Sequence, residues 1–254
     1  MDPLVTFAVF AFGAIIGSFL NVCIVRLQEK RSIVRPPSHC PACRSAIAWY
    51  DNVPILSYAI LAGRCRACRA RISPLYPAVE ILTGGLAVAL WIRLGGTLAF
   101  AGYLAFAAAL VTITFIDLDH RIIPDVISLP GIALGLAVSF ASPLVTPLDA
   151  LLGTLAGGGF LLAVAAAYQA VRGQEGMGGG DIKLLAMIGA FLGWRSIFVT
   201  LMVASIAGSI IGVTLMLYRR ADTKLAIPFG PFLACGALVY LFFGDRILAL
   251  YFGT

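Results

Sequence analysis

Charged residues are scarce in this sequence, and their scarcity excludes an ordinary soluble domain. Only 12% of the 254 residues are Asp, Glu, Lys or Arg, whereas soluble globular domains carry about 25%. Hydrophobic residues make up 61% of the chain, and its mean hydropathy is +0.99. Several apolar stretches approach the ~20 residues that a helix needs to cross a bilayer. The composition therefore predicts an all-α polytopic membrane protein.

Several familiar signatures are absent as well. No G-x-G-x-x-G follows a strand-like segment, which argues against a Rossmann-type cofactor site. The chain shows no convincing internal repeat and no low-complexity tail. The first apolar stretch ends in SFLNVCIVRL, which lacks the small-residue pattern of a cleaved signal peptide. We therefore expect the first helix to remain part of the protein.

The apolar stretches predict about eight transmembrane helices. They cover Leu4–Val25, Tyr76–Ile92, Leu98–Ile116, Ile127–Ser142, Leu151–Val171, Ile182–Leu192, Ile197–Tyr218 and Phe229–Phe243. The sixth stretch is short and the fourth has a proline, Pro130, near its start. A tilted or partly re-entrant path therefore remains open for both.

Basic residues are distributed unevenly between the predicted loops. Half of them lie in the hydrophilic block 26–74, which contains only two acids. The positive-inside rule makes this block cytoplasmic and places the N-terminus outside. Of the 18 basic residues, only Arg93, Arg195 and Arg246 then fall outside. We expect a multi-pass protein of the inner (plasma) membrane whose partners include lipids but, since the basic residues track the loops, no nucleic acid.

The block between the first two helices contains four regularly spaced cysteines. Cys40 and Cys43 form one C-x-x-C pair, and Cys65 and Cys68 form another. Two such turns can present four thiolates to one tetrahedral metal ion, most often zinc. Disulfides are disfavoured in a reducing cytoplasm. The pattern predicts a small cytoplasmic zinc-binding loop domain, in which a fully ligated metal would be structural rather than catalytic.

Aspartates at the ends of apolar helices are the candidates for chemistry. Asp117 directly follows the third predicted span, and Asp181 directly precedes the sixth. The predicted topology places both at the cytoplasmic ends of spans. Charged groups at membrane depth are costly and usually functional. Two carboxylates sharing one site can hold one proton between them and activate a water, as in aspartic proteases.

Spacing alone leaves alternatives to this aspartate pair open. Asp181 could be a plain helix cap behind a flexible glycine stretch, and Asp117 and Asp119 could be solvated acids paired with Arg121. A metal site built from Asp117, Asp119, His120 and Asp181, or a pathway for protons or ions, also fits the residue types. Asp125 follows Pro124 and is placed to cap the fourth helix.

Five blocks of the sequence, in order, resemble the type IV prepilin leader peptidases, which are bifunctional prepilin peptidase/N-methyltransferases. The blocks are GSFLNVCIVRL, HCPAC…WYDNVPILSY…GRCRAC…ISPLYPAVE, FIDLDHRIIPD, GMGGGDIKLLAMIGAFLGW and IPFGPFLACGA. The resemblance implies that Asp117 and Asp181 are the catalytic acids of a GxGD-type membrane aspartic peptidase. It implies supporting roles for Gly178, Gly180, Lys183, Asp119 and Asp125.

The resemblance also implies an activity and a division of the chain. The family cuts the leader from prepilins or pseudopilins after a glycine on the cytoplasmic side, then methylates the new N-terminal residue with S-adenosylmethionine. Proteolysis would need no cofactor. Glu80, just inside the second span, is our candidate for the methyltransferase site. We expect a first helix over residues 1–25, a methyltransferase-associated four-cysteine domain over 26–74 and a membrane peptidase domain over 75–254.

Three other functions compete with this interpretation. A peptidase-only member of the family, or a presenilin-like intramembrane protease, would share the aspartates. An ion-coupled transporter would use its acids for coupling, but such proteins usually carry repeats and polar residues near the middle of their spans. The spans here are nearly free of ionisable groups in their centres, which favours the peptidase.

Overall fold

A computed structural model confirms the all-helical membrane architecture. It describes residues 2–29, 31–174, 178–219 and 228–252, and within these ranges it contains one 3-10 turn and nine α-helices. The turn is Trp49–Asn52, and the helices are α1 (Pro3–Gln28), α2 (Leu56–Ile60), α3 (Leu75–Leu94), α4 (Leu98–His120), α5 (Asp125–Val138), α6 (Pro147–Arg172), α7 (Gly179–Leu192), α8 (Trp194–Arg219) and α9 (Gly230–Phe252). Within the described ranges, α1, α3, α4, α6, α8 and α9 are long and apolar enough to cross a membrane.

Two of the predicted spans are shorter than a full crossing. Helices α5 and α7 have 14 residues each, which gives a length of about 21 Å against a hydrocarbon core of about 30 Å. Helix α4 extends past Ile116, and α7 begins before Ile182. The two candidate aspartates therefore lie inside helices. Residues 176, 177 and 227, which belong to the sequence blocks quoted above, lie outside the described residues.

The chain divides into two compact units, and the first covers residues 1–112. Its helices α1 and α3 pack through small residues. A Cβ atom added at Gly13 would lie 2.6 Å from the Cβ of Ala87, and one added at Gly17 would lie 2.7 Å from the Cα of Glu80. The G-x-x-x-G spacing thus allows α1 and α3 to approach closely. In lipid, where burial of apolar surface does not drive helices together, such close packing stabilises their association.

In the second unit, residues 113–254, α7 is the central helix. It packs against α5, α6, α8 and α9, and every residue from Leu184 to Leu192 is buried. Gly153 of α6 and Gly189 of α7 let the two backbones meet directly, because neither position has room for a Cβ atom. A short helix that is apolar on all sides and enclosed by protein does not need to span the bilayer by itself. This packing fixes the start of α7, which carries Asp181.

Candidate active site and metal centre

Asp117 lies in the last turn of α4 and is held by the start of another helix. The residue is 5% exposed, and its Oδ2 accepts a hydrogen bond of 3.0 Å from the backbone N–H of Gly230, the first residue of α9. A Cβ atom at position 230 would lie 2.6 Å from the same oxygen. Glycine is therefore required for α9 to approach the carboxylate this closely. A helix N-terminus favours a negative charge.

Asp181 is the third residue of α7 and is half-buried. Its carboxylate lies close enough to that of Asp117 for their charges to interact. Ile123 contacts both helix starts, since its side chain lies against Gly180 and against Gly230. No hydrogen bond reaches the Asp181 carboxylate from the residues that the structure describes. The two acids thus have different surroundings, since Asp117 accepts a hydrogen bond from a helix terminus and Asp181 has no donor among the described residues.

The predicted supporting residues take up distinct positions. Both oxygens of Asp125 lie 2.7 Å from Nζ of Lys183, so this ion pair joins the start of α5 to the first turns of α7. Pro124, rather than Asp125, occupies the cap position of α5. Asp119 is exposed at the end of α4. The backbone oxygen of Gly178, at the cap of α7, accepts a hydrogen bond of 3.2 Å from Asp181 N–H.

Glu80 connects α3 to the loop before it. Its side chain is buried in the second turn of α3, and Oε2 accepts a hydrogen bond of 2.7 Å from the backbone N–H of Ile55. Ile55 has a φ of 64°, an unfavourable conformation for a β-branched residue. This contact holds the NVPIL stretch against the membrane helices.

The four cysteines converge as the sequence predicts. The Sγ atoms of Cys40, Cys43, Cys65 and Cys68 all lie within 4.8 Å of one another. Those of Cys40 and Cys68 are 3.8 Å apart, and a tetrahedral zinc site with Zn–S bonds of about 2.3 Å requires about 3.8 Å between sulfurs. Hydrogen bonds from the hydroxyl and then the backbone of Ser45 are the main causes that lower the pKa of the Cys43 thiol to about 6. The four residues could therefore hold one metal ion.

The two C-x-x-C turns have the same backbone hydrogen bonds. Cys40 N–H donates to the oxygen of Ser45 at 2.9 Å, and Cys65 N–H donates to that of Ala70 at 2.8 Å. Arg44 and Arg69, which follow each second cysteine, both have a φ of 60°. One 10-residue pattern is thus used twice, 25 residues apart, to build the two halves of the site. We call residues 38–47 the first knuckle and residues 63–72 the second knuckle, and in each a backbone hydrogen bond joins the last residue to the first.

A salt bridge connects the second knuckle to the 3-10 turn. Arg66 donates to both oxygens of Asp51, with distances from 2.6 to 3.0 Å, and its guanidinium lies 5.6 Å from the ring centroid of Tyr50. These hydrogen bonds from Arg66 hold the pKa of Asp51 below its usual range. The bidentate geometry fixes the orientation of the turn as well as its position.

Sequence reasoning does not identify two residues of the aspartate site. Gly230 and Ile123 hold the geometry around Asp117, yet one looks like a helix breaker and the other like an ordinary apolar residue. The available signal was the Gly-Pro pair in IPFGPFLACGA. Pro231 has no N–H of its own, so Gly230 is the residue that can donate at this helix start.

The fold and the site together define a class of protein. The chain is a multi-pass membrane protein with two carboxylates at helix ends, close enough for their charges to interact, as a membrane aspartic peptidase requires. Residues 11–94 match the bacterial peptidase A24 N-terminal domain, and residues 104–213 match the type IV leader peptidase family.

Similar proteins of known name support the same class. The chain is 39% identical to the prepilin leader peptidase/N-methyltransferase of Aeromonas salmonicida (strain A449), over 97% of this chain and 93% of that protein. It is 40% identical to the protein of the same name from Aeromonas hydrophila, over 96% and 92%, and 36% identical to that from Pseudomonas aeruginosa, over 94% and 90%. No solved structure matches the chain significantly.

The chain therefore belongs to the type IV leader peptidase family. The prediction that it is an enzyme of the membrane aspartic peptidase type is confirmed.

Proposed function

We propose that this enzyme cleaves the leader peptide of type IV prepilins or pseudopilins after a glycine, on the cytoplasmic side of the inner membrane, with Asp117 and Asp181 as its catalytic residues. The observation that carries this proposal is the buried Asp117 carboxylate, bound to Gly230 N–H and close to Asp181. The substrate is itself an apolar helix with its scissile bond near the membrane surface, where these two helix ends lie.

The different surroundings of the two acids suggest different roles. Asp117 is the ionised member, because the N-terminus of α9 donates to it. It removes a proton from a water molecule, whose oxygen attacks the scissile carbonyl carbon. Asp181 is the protonated member and donates its proton to the carbonyl oxygen. When the C–N bond breaks, the leaving amine takes the proton held by Asp117. The carboxylic acid group of the new product then returns a proton to Asp181.

Supporting residues hold Asp117 and Asp181 in position relative to each other. The Lys183–Asp125 pair holds the starts of α5 and α7 together, and Gly178 and Gly180 allow the chain and an extended leader to approach closely. We assign Asp119 no direct part in the chemistry, since it is exposed at the end of α4.

The cleavage experiment uses the full chain co-expressed with a prepilin substrate, read by gel shift and N-terminal sequencing. Asp117→Asn and Asp181→Asn should each reduce cleavage by a factor of roughly 10²–10⁴, the usual contribution of a general acid or base. Asp119→Asn is the matched control, because it removes a carboxylate from the same helix end, and it should retain cleavage. Cleavage at the wild-type rate by either Asp117→Asn or Asp181→Asn would refute the assignment of the catalytic residues.

We propose further that methylation of the new N-terminal residue follows, with S-adenosylmethionine as the donor. Residues 26–74 form the associated cytoplasmic domain, with zinc held by Cys40, Cys43, Cys65 and Cys68 as a structural brace, and residues 75–254 form the peptidase domain. Glu80 serves this activity by holding the loop at Ile55. The mass of the first residue of the cleaved product tests methylation directly, since an unmethylated product from wild type would indicate a peptidase alone.

A further inference from the structure

A cavity beside the second knuckle is lined by a pair of arginines that have no carboxylate partner among the described residues. It has a volume of about 460 Å³, and its lining includes Tyr58, Arg64, Arg71, Ser73 and Pro74. Arg64 and Arg71 face each other across an isolated antiparallel bridge, so their Cβ atoms should lie about 4.5–5.5 Å apart. Like charges placed directly opposite each other are destabilising. An anion between them would remove this cost.

No acid among the described residues forms an ion pair with either arginine. Asp51 is the only acid between residues 31 and 74. Arg66 already binds both of its oxygens. Arg64 and Arg71 are both exposed and form no ion pair within the part of the chain that the structure describes. The two guanidinium groups are therefore free for a ligand.

The position of the cavity identifies the source of the anion. Ser73 and Pro74 line it, and the next residue, Leu75, begins the apolar helix α3. The Glu80–Ile55 hydrogen bond holds the other side of the loop against the second turn of the same helix. The cavity thus adjoins the first residue of a helix that is long and apolar enough to span a membrane, which is the level at which lipid phosphates are expected. Leu75 and Tyr76 are exposed there, as expected for residues in contact with lipid.

We propose that Arg64 and Arg71 form a headgroup site for an anionic phospholipid of the membrane that holds the chain. Arginine binds phosphate in a bidentate manner, and the hydroxyl groups of Tyr58 and Ser73 line the same cavity. The site anchors the four-cysteine loop to the bilayer beside α3. It does not depend on the proposed catalytic roles, because no residue of the aspartate site takes part in it.

Native mass spectrometry of the full chain, reconstituted with phosphatidylglycerol and phosphatidylcholine, tests the site. Each basic residue near an anionic membrane surface increases the binding constant by roughly fivefold. The double variant Arg64→Gln/Arg71→Gln should therefore bind phosphatidylglycerol roughly 30-fold more weakly than wild type. The control Arg35→Gln/Arg44→Gln makes the same change in charge within the same loop, outside the cavity, and should retain most of the binding.

The wild-type chain provides a test that does not rely on the variants folding. It should retain phosphatidylglycerol in preference to phosphatidylcholine, and millimolar inorganic phosphate should not displace the lipid. Equal retention of the two lipids would overturn the proposal, as would equal binding by the cavity and control variants. Displacement by inorganic phosphate would show a site for soluble anions and would overturn the lipid assignment.

Discussion

The contact between Gly230 and Asp117 makes Gly230→Ala the most informative single substitution. The added methyl group would lie 2.6 Å from Oδ2 of Asp117, and an ordinary van der Waals contact begins at 3.4 Å. The carboxylate oxygen must therefore move by about 0.8 Å. Its hydrogen bond to Gly230 N–H is 3.0 Å long, so a shift of this size takes it beyond the range of a good hydrogen bond.

The cost of this shift can be expressed as a rate. Hydrogen bonds to charged groups contribute about 1.5–3 kcal/mol. If the hydrogen bond from Gly230 N–H stabilises the ionised carboxylate of Asp117, its loss lowers kcat/KM by roughly 10- to 150-fold. A cleavage assay on purified, reconstituted enzyme with a prepilin substrate measures this directly. Because the role proposed for Asp117 is in the chemical step rather than in substrate binding, kcat should fall more than KM rises.

Gly208→Ala is the matched control for this experiment. It makes the same change in a helix of the same unit, but the added methyl group would meet only the ring of Phe232 at 3.6 Å, an ordinary contact. Its activity should remain within about twofold of wild type. If Gly230→Ala also keeps wild-type kcat and KM, the N-terminus of α9 does not control Asp117, and the assignment of the ionised member is wrong.

Three further predictions concern the supporting contacts. The Asp125–Lys183 pair is largely exposed, so Lys183→Met should lower the free energy of unfolding by only about 0–1 kcal/mol. A larger loss of cleavage that the charge exchange Asp125→Lys/Lys183→Asp restores would show that the pair positions the site. Failure of the exchange to restore cleavage would argue against that role. Glu80→Leu leaves Ile55 N–H without its acceptor and should destabilise the loop by about 1–3 kcal/mol, seen as faster proteolysis within residues 31–74, whereas Glu80→Gln should resemble wild type. Cys65→Ser should reduce bound zinc from one ion per chain, measured by elemental analysis, and a variant that keeps full stoichiometry would contradict the four-thiolate site.

Much of the architecture could be predicted because membranes impose simple rules on sequence. Apolar length predicted the long helices, and the cysteine spacing predicted the convergence of four thiols. The cost of acids at membrane depth singled out Asp117 and Asp181, which the structure brings close together. Each of these inferences needs only local sequence or the general properties of lipid.

The parts that could not be predicted depend on contacts between distant segments. The donation from Gly230 to Asp117 joins residues 113 positions apart. The hydrogen bond from Ile55 to Glu80 requires a loop conformation with positive φ at a β-branched residue, which sequence preferences disfavour. The enclosure of α7 by four other helices likewise depends on residues that are far apart in the sequence. A single sequence contains no local signal for such pairings.

The enclosure of α7 has a consequence for how the enzyme moves. A helix whose residues from Leu184 to Leu192 are all buried belongs to the part of a protein that opens least often, so its amide protons should be among the slowest to exchange with solvent. Asp181 thus belongs to the helix of its unit that we expect to open least often. Adjustment to leaders of different sequence must then come from the end of α4 and the start of α9, which approach a fixed acid.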